Sequence, residues 1–168
     1  MTIKHSHTDL FDVPAVLGQQ RHLAHGVNTH GVMGAGVAKQ FARRHPQLLP
    51  AYRAYIDHCT RYDIPPPGDW FRYEAGTDVI HNLFSQDAPG PTAQLEWLEL
   101  SLSHAMNSCE PGVTIHLPWI GAGIVGLTRQ QVARTFLSVA SDYPDVHLHV
   151  HTHPAEEIDE HAVKILFG

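Results

Sequence analysis

Two glycine-rich segments constrain this chain more than anything else in it: His30-Gly31-Val32-Met33-Gly34-Ala35-Gly36-Val37 and Ile120-Gly121-Ala122-Gly123-Ile124-Val125-Gly126-Leu127. Each follows an apolar run of strand length, Leu23 to Val27 and Val113 to Leu117. Each precedes an amphipathic stretch with helical spacing. At a strand–loop–helix junction, backbone N–H groups near the helix start point at an anion, and the helix dipole favours negative charge there. Glycine lets that backbone come close, because no Cβ intervenes. Two such junctions in a chain of 168 residues predict a diphosphate clasped from both sides, and hence a nucleotide-like ligand.

The rest of the chain alternates strand and helix. Strands are expected at Ile3 to His7, Leu23 to Val27, Trp70 to Tyr73, Val79 to Phe84, Val113 to Leu117 and Val146 to Val150. The helix after the first loop should bury Val37, Ala38 and Phe41 and stop before Pro46; a second should run from Pro50 to Arg61. Ile64-Pro65-Pro66-Pro67-Gly68 must be a loop, since three prolines remove three donors. Thr92 to Asn107 carries Leu95, Leu98, Leu102 and Ala105 or Met106 on one stripe, the mark of an amphipathic helix. Thr128-Arg129-Gln130-Gln131 fits a capping box and should start another. The tail from Pro154 to Gly168 is expected to form a last helix holding Ile158, Val163, Ile165 and Leu166. This order predicts a single α/β domain over 1–168: a mixed, largely parallel sheet with helices on both faces, in an α/β/α sandwich. Ligands in such sheets sit at the carboxyl ends of strands, where both glycine loops fall.

Charge narrows the ligand. A net charge of −6, with only 11 lysines and arginines, argues against wrapping a nucleic-acid backbone. A mononucleotide-sized anion stays compatible, because backbone donors bind phosphate without basic side chains. Cys59 and Cys109 are too few for a disulfide framework or a cysteine zinc site. No apolar run approaches membrane length and Met1 to His7 lacks a signal-peptide core, so a cytoplasmic monomer without membrane contact is expected.

Other chemistries fit less well. A dinucleotide fingerprint would need a third glycine where Lys39 stands and an acidic residue about 20 positions on. No Gly-Lys-Ser/Thr P-loop is present. Histidine is abundant, at 15 residues, and His147, His149, His151 and His153 alternate with apolar residues, which predicts one shared strand face. Neighbouring histidines at that spacing can ligate Zn²⁺ or Ni²⁺, but without a cysteine or carboxylate pattern a solvated face is the expectation; no metal and no cofactor are expected. His25 and His30 flank the first loop and are expected to be packed or solvated. Trp97 is expected in the core, and Trp119 to shape the second loop.

The run from Leu23 to Phe41, with Gly31-Val32-Met33-Gly34-Ala35-Gly36-Val37 at its centre, resembles the first ligand loop of macrodomains. It is most similar to the branch holding the terminal ADP-ribose glycohydrolase and the macrodomain antitoxins of DNA-modifying ADP-ribosyltransferases. Pro118 to Leu127 resembles the family's second ligand loop, Asn82-Leu83-Phe84-Ser85-Gln86 the strand end between them, and Thr8-Asp9-Leu10 the turn after the first strand. The resemblance spans positions 3 to 151 and implies an α/β/α sandwich that binds ADP-ribose or ADP-ribosylated protein. It implies that Asp9, beside Leu10, accepts from the adenine amine, and that Gly31, Val32, Met33, Gly34, Ala35, Gly36 and Val37 curl around the distal ribose and diphosphate. Gly121, Ala122, Gly123, Ile124, Val125 and Gly126 would close over the phosphates. Asn28 and Ser85 would lie near the distal ribose, and Phe11, His151 or His153 would border the adenine.

Two departures bear on mechanism. The glycohydrolase branch carries a nucleophilic lysine where Gln86 stands, and an aspartate in the second loop where Val125 stands. Glutamine forms no Schiff base, so a lysine-dependent covalent route is not expected. Asp87, beside Gln86, is a possible spatial substitute for the lost acid. The expected activity is hydrolysis of carboxylate-linked mono-ADP-ribose by a positioned water, with Asn28, Ser85 and Gln86 as candidate catalytic residues. A non-catalytic ADP-ribose reader and an ADP-ribose 1″-phosphate phosphatase are the alternatives.

Overall fold

The computed structural model describes residues 2–64, 66–123 and 126–168. Its strands are β1 (Ile3–Ser6), β2 (Arg21–Gly26), β3 (Trp70–Ala75), β4 (Asp78–Leu83), β5 (Thr114–Pro118) and β6 (His147–His151). Its helices are α1 (Gly36–Arg44), α2 (Leu48–Arg61), α3 (Leu95–Asn107), α4 (Arg129–Asp142) and α5 (Glu160–Leu166), with a 3-10 turn at Leu10–Asp12. One sheet has the order β1-β6-β5-β2-β4-β3. Every neighbouring pair is parallel except β3 and β4, a hairpin turned at Gly76 and Thr77. The expected mixed, largely parallel α/β sandwich is the architecture observed.

Helices cover the two faces unequally. Leu83, Ile115, Leu117, Leu148 and Val150 face α3, α4 and α5, where Leu98, Leu102, Phe136 and Val139 complete the larger core. Leu23 and Ile80 point the other way, into a smaller core with Phe41, Leu48 and Tyr52 from α1 and α2. That second layer covers the β2–β4 side of the sheet. On the same face, Lys4, Thr114, His116, His147 and His149 of β1, β5 and β6 stay partly or fully exposed.

Differences from the sequence reading are local. α3 starts at Leu95, because Ala93 pairs with Gln86 in a β-bridge and Gln94 then serves as N-cap. The tail helix is shorter than expected, since Asp159 caps it by accepting from the Ala162 N–H. The histidine series breaks at its end: β6 stops at His151, and His153 leaves the strand face. The capping box is present, with Thr128 and Gln131 satisfying each other's backbone N–H groups. Trp97 is only partly buried.

Polar groups inside the sheet are paired in a defined tautomer. The Trp70 indole only donates, and it donates to Nδ1 of His81 at 3.0 Å. His81 therefore carries its proton on Nε2 and donates it to Nδ1 of His22 at 2.9 Å. Burial pushes His81 down to about 3, aided by His22 and the Arg72 guanidinium. Burial likewise pushes His25, packed on Phe41 and bonded to Asn82, down to about 4.

Two outcomes follow for stability. Above the ordinary histidine value of 6.5, His25 and His81 are neutral folded or unfolded and give no pH dependence. Below it the unfolded chain takes up protons that the folded chain refuses, so stability falls as pH drops toward the folded values. NMR titration should show both imidazoles still neutral at pH 5; a midpoint near 6.5 for either would contradict their burial as neutral rings. Thr128→Ala should cost roughly 1 kcal/mol in denaturant unfolding, and an unchanged midpoint would show the cap to be idle.

Candidate functional site

The carboxyl ends of β2 and β5 open into a cleft of about 860 Å³. Its floor is His25, Gly26 and Val27, one wall is the segment 32–38, and the other is Pro118 to Gly123. Gly26 is where the backbones crowd most: a Cβ there would lie 2.6 Å from Ser85 Oγ and 2.8 Å from Ile120 Cγ2.

The first loop is shaped by one side chain. Asn28 follows β2, and its Oδ1 accepts from the N–H groups of His30 at 2.9 Å and Val32 at 3.3 Å, and from the Tyr52 hydroxyl at 3.0 Å. Its Nδ2 donates to the Val32 carbonyl at 2.8 Å. Tyr52 also donates to the Asn28 carbonyl. Arg53 holds the Gly31 carbonyl at 2.9 Å, and Thr29 donates to the Asp87 carboxylate at 2.7 Å. The loop runs into α1, whose N-cap is Ala35, with no capping side chain. Gly36, Val37 and Ala38 line the cleft, and their first-turn N–H groups have no acceptor within the helix. An uncapped helix start facing a cleft is an anion seat.

The second loop presents the opposing wall. Gly121 has φ of +81°, and a Cβ there would meet Leu127 Cδ1 at 2.7 Å, beside the bond from Leu127 N–H to the Gly121 carbonyl at 2.9 Å. Gly123, at φ +83°, has open space where a Cβ would project. Trp119 shapes this wall, its indole donating to Thr152 Oγ1 at 2.9 Å while its ring lines the cleft.

The far end is built around Asp9. One carboxylate oxygen accepts from the Phe11 N–H at 2.9 Å and caps the 3-10 turn. The other lies 3.5 Å from His153 Nε2. Phe11 packs edge-on against Phe41, with the Arg44 guanidinium over its ring at 4.3 Å. Arg129 forms a close ion pair with Glu156.

Of the residues singled out in the sequence, Asp9, Leu10, Asn28, Val32, Gly34, Ala35, Gly36, Val37, Gln86, Gly121, Ala122 and Gly123 line the cleft together. Phe11, His25, Trp119, His151 and His153 line it too. Four stand behind the wall. Gly31 packs on Arg53, Met33 is buried in the smaller core, Ser85 is buried under Gly26, and Gly126 lies against Pro91. Ile124 and Val125 fall outside the described residues. Asp87 does not line the cleft; its exposed carboxylate accepts from Thr29 through Oδ1, which also lies 3.8 Å from His30 Nε2. His25 is packed, as expected, but its Nε2–H donates to Asn82, and its buried Nδ1 has no partner among the described residues. Sequence reasoning passed over Arg129, Glu156, Gln40, Pro89 and Gly90 as cleft residues. Arg129, the first residue of a capped helix after the second loop, carried a usable signal; Pro89 and Gly90 carried none.

Comparison with known proteins accords with this geometry. A family model described as "Macro domain" matches residues 24–136. A 17.5 kDa protein of the tk–vs intergenic region of Enterobacteria phage T4 is 30% identical over 122 residues, 67% of this chain and 76% of the relative. The ADP-ribose 1″-phosphate phosphatase of Lodderomyces elongisporus is 42% identical over 59 residues, and that match spans 35% of each chain. Among solved structures, the macrodomain of Thermus aquaticus DarG superposes with a TM-score of 0.70 at 27% identity, covering 89% of this chain and 97% of that one. A family match that runs from within β2 through both glycine loops and into α4, on a sheet with this strand order, settles the classification: the chain belongs to the macrodomain family.

Proposed function

We propose that the cleft binds ADP-ribose and hydrolyses mono-ADP-ribose from carboxylate side chains of modified proteins, using water as nucleophile. The observation that carries the reading is the pair of backbone walls, the uncapped start of α1 facing the Gly121–Gly123 turn across one cleft. Such walls supply neutral donors to a pyrophosphate from both sides and require no lysine. Asp9 keeps a carboxylate oxygen for the adenine amine at the far end, beside Phe11 and His153.

The distal end dictates the chemistry. No lysine, cysteine or serine lines the cleft among the described residues, and its two carboxylates are engaged elsewhere, Asp9 with the Phe11 N–H and Glu156 with Arg129, so water is the nucleophile. Water forms the new O–C1″ bond, the C1″–carboxylate bond breaks, and the carboxylate leaves with the bonding pair while the water's proton passes to solvent. A carboxylate is a good leaving group, so positioning suffices in place of a strong base. Asn28 acts as a positioning residue, since its amide is engaged in the loop. Gln86, fixed by donation to the Ala88 carbonyl at 3.0 Å, is the polar side chain left on the wall near that end. Ser85 contributes through packing under Gly26.

The phosphatase relative supports a second reading, removal of the 1″-phosphate from ADP-ribose 1″-phosphate in the same cleft. A glutamate-linked mono-ADP-ribosylated peptide and ADP-ribose 1″-phosphate, each incubated with the protein, separate the two. Release of label from the peptide is expected. Phosphate release alone would move the assignment to the phosphatase, and micromolar ADP-ribose binding with neither product would leave a reader. Gly123→Val should abolish binding in calorimetry, because its side chain projects into open space at the wall; unchanged affinity would contradict the loop assignment.

Asp9→Asn keeps an oxygen for the Phe11 cap but loses the charge on the adenine amine. ADP-ribose affinity should fall roughly tenfold, and discrimination against the hypoxanthine analogue should shrink with it. Equal discrimination in wild type and variant would place the base elsewhere.

A further inference from the structure

The sheet holds a second set of chemical groups, which meets the ADP-ribose cleft at one residue, His151. His116 on β5 pairs in register with His149 on β6, and His151 lies two residues further along the same face. One nitrogen from each of the three rings lies within 4.8 Å of the other two. His116 Nδ1 and His151 Nε2 are 2.9 Å apart, and the rings of His149 and His151 stack at 4.3 Å. His116 and His149 are only partly buried, with no α-helix over them among the described residues, while His151 is buried. A small cavity of about 300 Å³, lined by Thr2, Lys4, Thr114, His116, His147 and His149, opens beside them. His147, at its edge, keeps a buried Nδ1 with no partner among the described residues.

We infer that His116, His149 and His151 form a binding site for a divalent transition-metal ion of the zinc class, with the fourth coordination position open to the adjoining cavity. Three imidazoles without a carboxylate select zinc, nickel, copper or cobalt over magnesium and calcium, which take oxygen ligands. Three protein ligands and one open position is a common coordination pattern for zinc.

The surroundings fit that assignment. His151 would bind through Nε2, its Nδ1–H then donating to Thr8 Oγ1, which lies 2.8 Å away. An outer hydrogen bond of this kind fixes a ligating imidazole's tautomer and orientation. Ser6 Oγ, 2.7 Å from His149 Nε2, gives that ring a comparable anchor. Tetrahedral zinc needs ligand nitrogens about 3.3 Å apart, so the 2.9 Å pair must widen slightly and the His149 ring must swing out of its stack. His149 is only partly buried, which leaves room for that rotation. Lys4 is the one opposing charge beside the cavity; it is exposed and its stem can turn to water. Arg21 is committed to Asp78 through two bonds of 2.8 Å.

The other histidine cluster lacks this capacity. His22, His81 and Cys109 also lie close together, but the donor-only Trp70 indole occupies His81 Nδ1 and fixes the proton on Nε2, so His81 has no lone pair to offer; the Thr8 hydroxyl beside His151 can accept instead and leaves that ring's Nε2 unprotonated. The alternating histidines of β6 hinted at a site; the ligand that the linear spacing could not supply is His116, brought from the neighbouring strand.

The test is zinc chloride added to the untagged, chelator-treated full chain in competition with a chromophoric chelator. One equivalent should bind. His116→Gln and His149→Gln should each weaken it at least ~10-fold, while His161→Gln, on exposed α5, should leave it unchanged. His151 borders the ADP-ribose cleft but His116 and His149 do not, so the variants are confined to those two and zinc uptake is read without ADP-ribose, apart from the proposed activity. No stoichiometric uptake, or equal uptake by the His116→Gln/His149→Gln double variant, would overturn the site. Should the variants fail to fold, imidazole ¹⁵N spectra of the wild type decide. Zinc-induced changes confined to His116, His149 and His151 support the site, and changes centred on other histidines refute it.

Discussion

Asn28 stands where β2 ends and the first glycine loop begins, and its amide links the two. It accepts from the N–H groups of His30 and Val32 and donates back to the Val32 carbonyl, so a glycine-rich segment with little shape of its own is held in one curve. Tyr52, fully buried on α2, closes the arrangement from behind through its hydroxyl. Removing such an amide would take a partner from the His30 and Val32 backbone groups and from the buried Tyr52 hydroxyl at once, each bond contributing roughly 0.5–1.5 kcal/mol. The orientation of the α1 start follows from this curve, and with it the direction in which the first-turn N–H groups point. The smaller core of Leu23, Phe41, Leu48 and Ile80 thus acts on ligand geometry as well as on stability.

The parallel sheet supplies the second constraint. β2 and β5 are neighbours and run in the same direction, so the loops that follow them emerge at one end and face each other. On the proposed reading, backbone groups take the place of lysines at the phosphates, which agrees with a chain of net charge −6. Gly26 makes the close approach possible, because any side chain there would strike Ser85 and Ile120.

How far the sequence could be read depended on the range of the interaction. Strand and helix periodicity, the capping box at Thr128 and the two loops are local patterns, and the structure keeps them with small shifts at their ends. The α3 boundary moved because a bridge between Gln86 and Ala93 consumed its first residues, and no local pattern encodes that bridge. Cleft lining was legible where the backbone itself forms the wall, as at Gly34 to Val37 and Gly121 to Gly123. It was illegible where side-chain direction decides. Ser85 sits next to cleft-lining Gln86 yet points into the protein, Met33 turns into the core, and Asp87 accepts from Thr29. Arg129 and Glu156 meet from segments far apart in the chain, and His116 joins His149 only through strand pairing.

The central claim is that two opposed backbone walls hold one pyrophosphate. A crystal structure of the protein soaked with ADP-ribose tests it most directly. The account predicts phosphate oxygens within hydrogen-bond distance of N–H groups from both the α1 start and the Gly121–Gly123 turn, the adenine beside Asp9 and the distal ribose toward Gln86. Phosphates contacting only one wall, or the ligand lying outside this cleft, would contradict it.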